Sequence, residues 1–405
     1  MTSRAATLTR RSILAGGTAL SLASIGSAQA QAKKPLKIAL IQDKTGPLEA
    51  YAKQVVTGFR MGLEYATQNT MTVAGRKIEI IEKDSQTKPD LGRSLLAEAY
   101  ADDDVDFAVG GSSSAVALAM LPVAADAKKL LIVEPAVADS ITGDKWNRYI
   151  FRTGRNSMQD AIANALAIGK PGTVIATLGQ DYAFGRDGVA AFREALAPTG
   201  AKLVHEEYVP PTTTDFTAAA QRLFDALAKE SGRKVIWVIW AGADPLAKLK
   251  ALNPERLGIE LSTGGNILPV LQTYKDFAGM EGGAYYYYGI PKNKVNDWLV
   301  AEHQKRFKTP PDFFTCGGMS AAMAAIAAVT ATNGDTDTEK LIAAMEGMRF
   351  ETPKGAMMFR KEDHQALQSM YGFKLRNDPA LAWAVPEMTR EFTLDDLKLP
   401  IRNKR

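Results

Sequence analysis

VGGSSSAVALAMLPVAADAKKLLIVEPAVAD, residues 109–139, decides the fold. It reads as the end of a strand, a Gly-Gly-Ser-Ser-Ser turn, a helix from about Ala115, a second strand at Leu130–Val133 and a Pro-Ala-Val-Ala loop. A helix joining two short apolar strands is the connection that parallel strands require. Small residues at the turn let the backbone approach a bound molecule closely. The first N–H groups of the helix have no partner within it, and the helix dipole makes that end partly positive. With Ser112, Ser113 and Ser114 on top, the turn suits a small anion such as a carboxylate. Taken alone, the same serines could merely cap the helix.

The pattern extends in both directions. Upstream lie a buried strand at Leu36–Ile41, a helix over Val55–Ala66, a strand at Ile78–Ile81, a helix at Leu91–Tyr100 and a strand at Asp106–Val109. Near Arg148–Arg155 the alternation restarts: helices at Met158–Ile168, Gly185–Leu196 and Phe216–Ala228, strands at Thr173–Leu178, Leu203–Tyr208, Val235–Trp240 and Ile259–Ser262, and a short helix at Pro245–Ala251. A strand at Ala284–Tyr288 and helices at Val295–Phe307 and Met319–Thr330 are too few for a third lobe and are expected to rejoin the first. The prediction is an α/β clamshell of two lobes, each a parallel sheet flanked by helices, joined by three hinge crossings. Lobe 1 takes residues 35–152 plus 282–350, lobe 2 takes 153–281 plus 351–390, and 391–405 form a C-terminal tail. Ligands of open α/β sheets bind beyond the carboxyl ends of the strands, and in a clamshell both sets of ends face one cleft.

Residues 1–30 read as an export signal. Arg4, Arg10 and Arg11 precede an uncharged run from Ile13 to Ile25, and Ala28-Gln29-Ala30 offers a cleavage site. Thr9-Arg10-Arg11-Ser12-Ile13-Leu14 resembles a twin-arginine signal, with an ordinary secretory signal as the alternative. The chain has 49 basic and 45 acidic residues, and without those three arginines it is near neutral, which argues against nucleic acid or an anionic membrane as partner. A lone Cys316 allows no internal disulfide.

Residues 37–51 (KIALIQDKTGPLEAY), the serine turn, 134–143 (EPAVADSITG), 149–156 (YIFRTGRN) and 179–188 (GQDYAFGRDG) together resemble type I periplasmic solute-binding proteins of ABC importers, in particular the leucine/isoleucine/valine-binding branch. The resemblance runs from Leu36 to about Leu375. It implies a periplasmic, non-enzymatic, monomeric protein without cofactor or metal that hands a small carboxylate, a branched-chain or related amino acid, to permease subunits. It also places ligand contacts at Tyr51, Ser113, Ser114, Ala136, Ala138, Tyr182, Phe184, Trp240 and Gly265.

Two positions depart from the amino-acid binders. Ala138 replaces a frequent threonine, and around Gly265 glycines stand where an acid usually meets the ligand ammonium. A buried ammonium without an anion costs on the order of several kcal/mol. Asp181 or Asp244 could supply one; otherwise the ligand is an aromatic or aliphatic acid without an ammonium group. A ligand sensor for a membrane receptor would share this fold. A serine hydrolase is disfavoured: no Gly-x-Ser-x-Gly elbow is present, and His205, His303 and His364 lack triad or metal spacing and are expected on surfaces or in turns. Cys316 reads as a small buried residue, and Phe313-Phe314 as the start of a core helix.

Overall fold

The computed structural model describes residues 33–404, so the export-signal reading lies outside the described residues. The first sheet contains β1 (Leu36–Gln42), β2 (Thr72–Val73), β3 (Arg76–Asp84), β4 (Phe107–Gly110), β5 (Leu131–Val133) and β6 (Ile150–Arg152), in the order β2-β3-β1-β4-β5-β6. All pairs are parallel except the short edge strand β2. Continuous apolar strands follow from burial on both faces. Ile38 and Leu40 enter the core under α1 (Glu49–Ala66) and the helix Phe313–Ala331, whereas Ala39 and Ile41 enter the one under α2 (Pro89–Ala101) and α3 (Ser114–Ala127).

The second sheet is wholly parallel: β7 (Thr173–Gln180), β8 (Lys202–Val209), β9 (Arg233–Ile239) and β10 (Ile259–Thr263), ordered β10-β9-β7-β8. Trp237 and Ile175 pack under α4 (Ser157–Ile168) and α5 (Ala183–Leu196), while Ile236 and Ala176 pack under the helix Thr217–Ala228. Every strand and helix read from the pattern up to Thr263 is present, with ends displaced by a few residues.

Two later readings change. The strand expected at Ala284–Tyr288 is Glu281–Ala284, and Tyr285–Tyr288 form the connection leaving it. Gly282 and Gly283 seat that strand tightly, since a Cβ on them would lie 2.3 Å from the Thr263 carbonyl oxygen and 2.7 Å from the Ala163 Cβ. The tyrosine rings are taken up in the crossing, Tyr286 donating to Asn296 Oδ1 at 2.7 Å. Residues 351–367, assigned to lobe 2, instead continue a small antiparallel sheet (Arg349–Thr352, Gly355–Phe359, Ala366–Leu367) whose Phe350, Met357 and Phe359 enter the first core. Met370–Arg376 then pairs antiparallel with Glu281–Ala284 on one edge and with Val385–Phe392 on the other, and places Phe373 and Leu375 in the second core.

The three crossings meet in one buried polar knot. Gln368 Nε2 donates to the Thr153 carbonyl at 3.2 Å, Gln365 Nε2 to that of Gly154 at 2.8 Å, and Arg152 Nε to Gln365 Oε1 at 2.6 Å. Lys354 Nζ donates to Gln368 Oε1 at 2.9 Å and sits 3.9 Å over the Tyr285 ring. Burial pushes the Lys354 ammonium down and the neighbouring Glu134 carboxyl up. His303 is buried on the helix Lys294–Phe307, contrary to expectation; His364 lies in a turn, as expected, but is fully buried, its ring stacked on Phe151 at 3.8 Å.

Hydrogen bonds also run directly across the cleft. Gly242 N–H donates to Tyr51 Oη at 3.0 Å, Leu268 N–H to Asp312 Oδ2 at 2.9 Å, and Ser140 N–H to Asp187 Oδ2 at 2.9 Å.

Candidate ligand site between the lobes

The serine turn sits at the carboxyl end of β4, opening α3. Gly111 has φ +88°, and a Cβ on it would lie 2.9 Å from that of Ala117. Asp43, just past β1, holds the turn: Ser113 N–H donates to its Oδ2 at 2.7 Å and the Ser85 hydroxyl to its Oδ1. Burial pushes the Asp43 carboxyl up. Ser112 donates to Gln42 Oε1 at 2.6 Å, and Ser113 Oγ caps α3 by accepting from Ala115 N–H at 3.3 Å. Ser114 differs. Its Oγ accepts from Ala138 N–H at 3.2 Å, which leaves its own proton for a ligand oxygen.

Ser114 lines a cavity that also brings together Tyr51, Ala136, Tyr182, Phe184, Trp240 and Gly265. Two proposed residues stand apart. Ser113 lines only a wider outer opening, and Ala138 lies behind the wall, reaching the site through its N–H on Ser114. Tyr51 is buried, its ring 4.3 Å from that of Phe314. Burial pushes its hydroxyl up to about 12, so it remains a neutral donor.

The principal addition to the sequence reading is Arg155. It is the one charged side chain among the described residues lining this cavity. The first crossing delivers it just before Asn156, which caps α4 in a capping box with Gln159. Its side chain is 12% exposed, with Nε donating to Asp160 Oδ1 at 2.9 Å and the guanidinium 4.9 Å from the Phe313 ring centroid. Its two terminal nitrogens make no hydrogen bond among the described residues. No signal in the sequence set it apart, since Arg148 and Arg152 stand within seven residues of it. Phe313 and Phe314 open the core helix as expected and also line the cavity.

A second compartment adjoins the first, sharing Arg155, Phe184, Trp240, Gly265 and Asn266. Its acid is Asp160, whose carboxyl burial pushes up against the pull of Arg155. Asp181 is paired with Arg186 instead, and Asp244, which lines only the outer opening, accepts from the Tyr274 hydroxyl at 2.7 Å. Cys316 is fully buried with its thiol pushed up to about 12, which makes it a packing residue.

A hydrogen bond to a charged group contributes about 1.5–3 kcal/mol. Ser114→Ala should therefore weaken carboxylate binding at least tenfold in calorimetry, and an unchanged affinity would remove the hydroxyl from the site.

Residues 35–380 match the family described as "Periplasmic binding protein". The Brucella melitensis "Leu/Ile/Val-binding protein homolog 6" is 24% identical over 370 residues, covering 87% of this chain and 90% of that protein. A crystal structure of an ABC-type branched-chain amino acid transporter from Rhodopseudomonas palustris CGA009 is 70% identical, with TM-score 0.82, over 91% of this chain and all of the other. A solute binding protein of an ABC transporter from Rhodopseudomonas palustris BisB5, solved with 3,4-dihydroxy benzoic acid, is 29% identical with TM-score 0.77, covering 89% and 98%. The chain belongs to the periplasmic binding protein family: it is a two-lobed, periplasmic solute-binding component of an ABC transporter.

Proposed function

We propose that the cavity captures a small carboxylate with an aromatic body and presents it, lobes closed, to the permease. The observation that carries this reading is the single guanidinium of Arg155 inside a box of rings from both lobes, with Tyr51, Phe313 and Phe314 on one side and Tyr182, Phe184 and Trp240 on the other. Arg155, the Ser114 hydroxyl and the opening amides of α3 are suited to the carboxylate, and the rings to a flat apolar body. The 29%-identical relative solved with 3,4-dihydroxy benzoic acid supports the same class. Capture without chemistry is supported by the lining itself, in which Ser114 has no histidine beside it to act as base.

A second reading, a branched-chain amino acid, is favoured by Asp160 on the adjoining compartment, which could meet an ammonium. The 70%-identical relative, described as a branched-chain amino acid transporter, points the same way. A ligand panel separates the two. At a hundred times its Kd a ligand adds about 2.7 kcal/mol of stability. Benzoate-type acids should raise the melting temperature of protein freed of carried-over solute, while leucine, isoleucine and valine leave it within a degree. Stabilisation by the amino acids alone would reverse the order of the readings.

A further inference from the structure

Besides Arg155, the inner compartment carries three polar groups that the described residues leave unmatched, on Trp237, Asp160 and Tyr285. Trp237, on β9, is 4% exposed and lines it, with its ring stacked on Phe192 at 3.8 Å. Its indole N–H is buried and has no hydrogen-bond partner among the described residues. Asp160 gives Oδ1 to Arg155, while its Oδ2 accepts no hydrogen bond among the described residues. Tyr285 Oη, which also borders the compartment, is likewise buried with no hydrogen-bond partner among the described residues, and the terminal nitrogens of Arg155 are left for the carboxylate; three further side chains are engaged. Asn164 donates to the Asp160 carbonyl and accepts from Gly283 N–H, both at 2.8 Å. Thr263 donates to the Val238 carbonyl and Ser157 to that of Val137, both at 2.9 Å.

With Arg155 given to the carboxylate, the indole N–H is a spare donor, Asp160 Oδ2 a spare acceptor and the Tyr285 hydroxyl either, which suits a ligand group that both accepts and donates. A buried N–H left unmatched is costly, so a partner for Trp237 Nε1 is worth more than the bond alone. An ammonium only donates; it could meet Asp160 but would leave the indole N–H unanswered. A hydroxyl answers both. We infer that the inner compartment is a hydroxyl-recognition subsite: the ligand is an aromatic acid with a hydroxyl remote from its carboxylate, donating to Asp160 Oδ2 and accepting from Trp237 Nε1. The shared wall of Arg155, Phe184 and Trp240 lets one ligand occupy both compartments. Trp237 and Asp160 are then specificity-determining residues.

This inference rests on the aromatic-carboxylate reading, and the test separates the two. Calorimetry with the whole protein would use benzoate, 4-hydroxybenzoate and 4-methoxybenzoate as probes. Wild type should bind 4-hydroxybenzoate at least tenfold more tightly than either analogue, because the methyl ether cannot donate. In Trp237→Phe the ratio of 4-hydroxybenzoate to benzoate affinity should fall at least fivefold, and likewise in Asp160→Asn. If Trp237→Phe does not fold, the methyl ether in wild type and the Asp160 variant still decide. Binding of all three acids without preference, or ratios unchanged in the variants, overturns the subsite and leaves the aromatic reading intact. Binding of none overturns both.

Discussion

Arg155→Ala should weaken carboxylate binding by two or more orders of magnitude, the largest effect expected of any substitution in the cavity. Removing one partner of a desolvated, charge-assisted pair costs about 2–5 kcal/mol, and about 3 kcal/mol is already roughly a hundredfold. Two losses add here. The ligand loses its only cationic partner among the lining residues, and Asp160 loses the Nε bond that favours its charged form. The variant would thus offer an anion a cavity whose nearest charge is negative. Arg155→Lys restores the charge without the planar fork that can hold Asp160 and a ligand together, so it should recover only part of the affinity. Calorimetry checks both, and an Arg155→Ala affinity within threefold of wild type would place the anion elsewhere.

The largest stability effect is expected where α1 meets the helix Phe313–Ala331. A Cβ on Gly58 would fall 1.9 Å from the Thr315 carbonyl oxygen, and one on Gly318 would fall 2.1 Å from that of Val55. Both obstacles are backbone atoms, so neither can swing aside, and the helices would have to part. Overpacking of this kind costs about 1–3 kcal/mol and occasionally more, and with two backbone clashes this short the upper end applies. Helix propensity alone predicts the opposite sign, since alanine is favoured over glycine by about 1 kcal/mol within a helix. Gly58→Ala and Gly318→Ala should each lower the melting temperature by roughly 4 °C. A rise would mean that the helices are not in backbone contact.

Much of the architecture was legible because both sheets are parallel and buried on both faces, so each strand is a short apolar run set off by a helical repeat. Legibility ended at Arg349–Phe392. Its hairpins alternate apolar and polar residues equally well against either core, and only tertiary contacts such as Phe359 on Phe151, at 5.1 Å, show that residues 349–367 belong to the first. In the site, the glycine-serine turn announced itself through its chemistry. Which serine faces the cavity did not, because adjacent residues at a helix start point roughly 100° apart, and Asp43 from another strand fixes the rotation. Arg155 was obscured for a related reason. One arginine among 49 basic residues carries no mark in sequence; its distinction is that three aromatic rings and one carboxylate surround it in the fold.

The bonds from Gly242 to Tyr51, Leu268 to Asp312 and Ser140 to Asp187 bear on the economy of transport. A solute can shift a two-state equilibrium only by its differential affinity, and swinging it from 1:99 to 99:1 takes about 5.5 kcal/mol. Each direct bond between lobes contributes about 1 kcal/mol toward shutting whatever the cargo. The transporter therefore listens to a signal with a built-in background: strengthening these bonds would let scarce solute be collected, at the expense of ATP spent on deliveries that contain nothing.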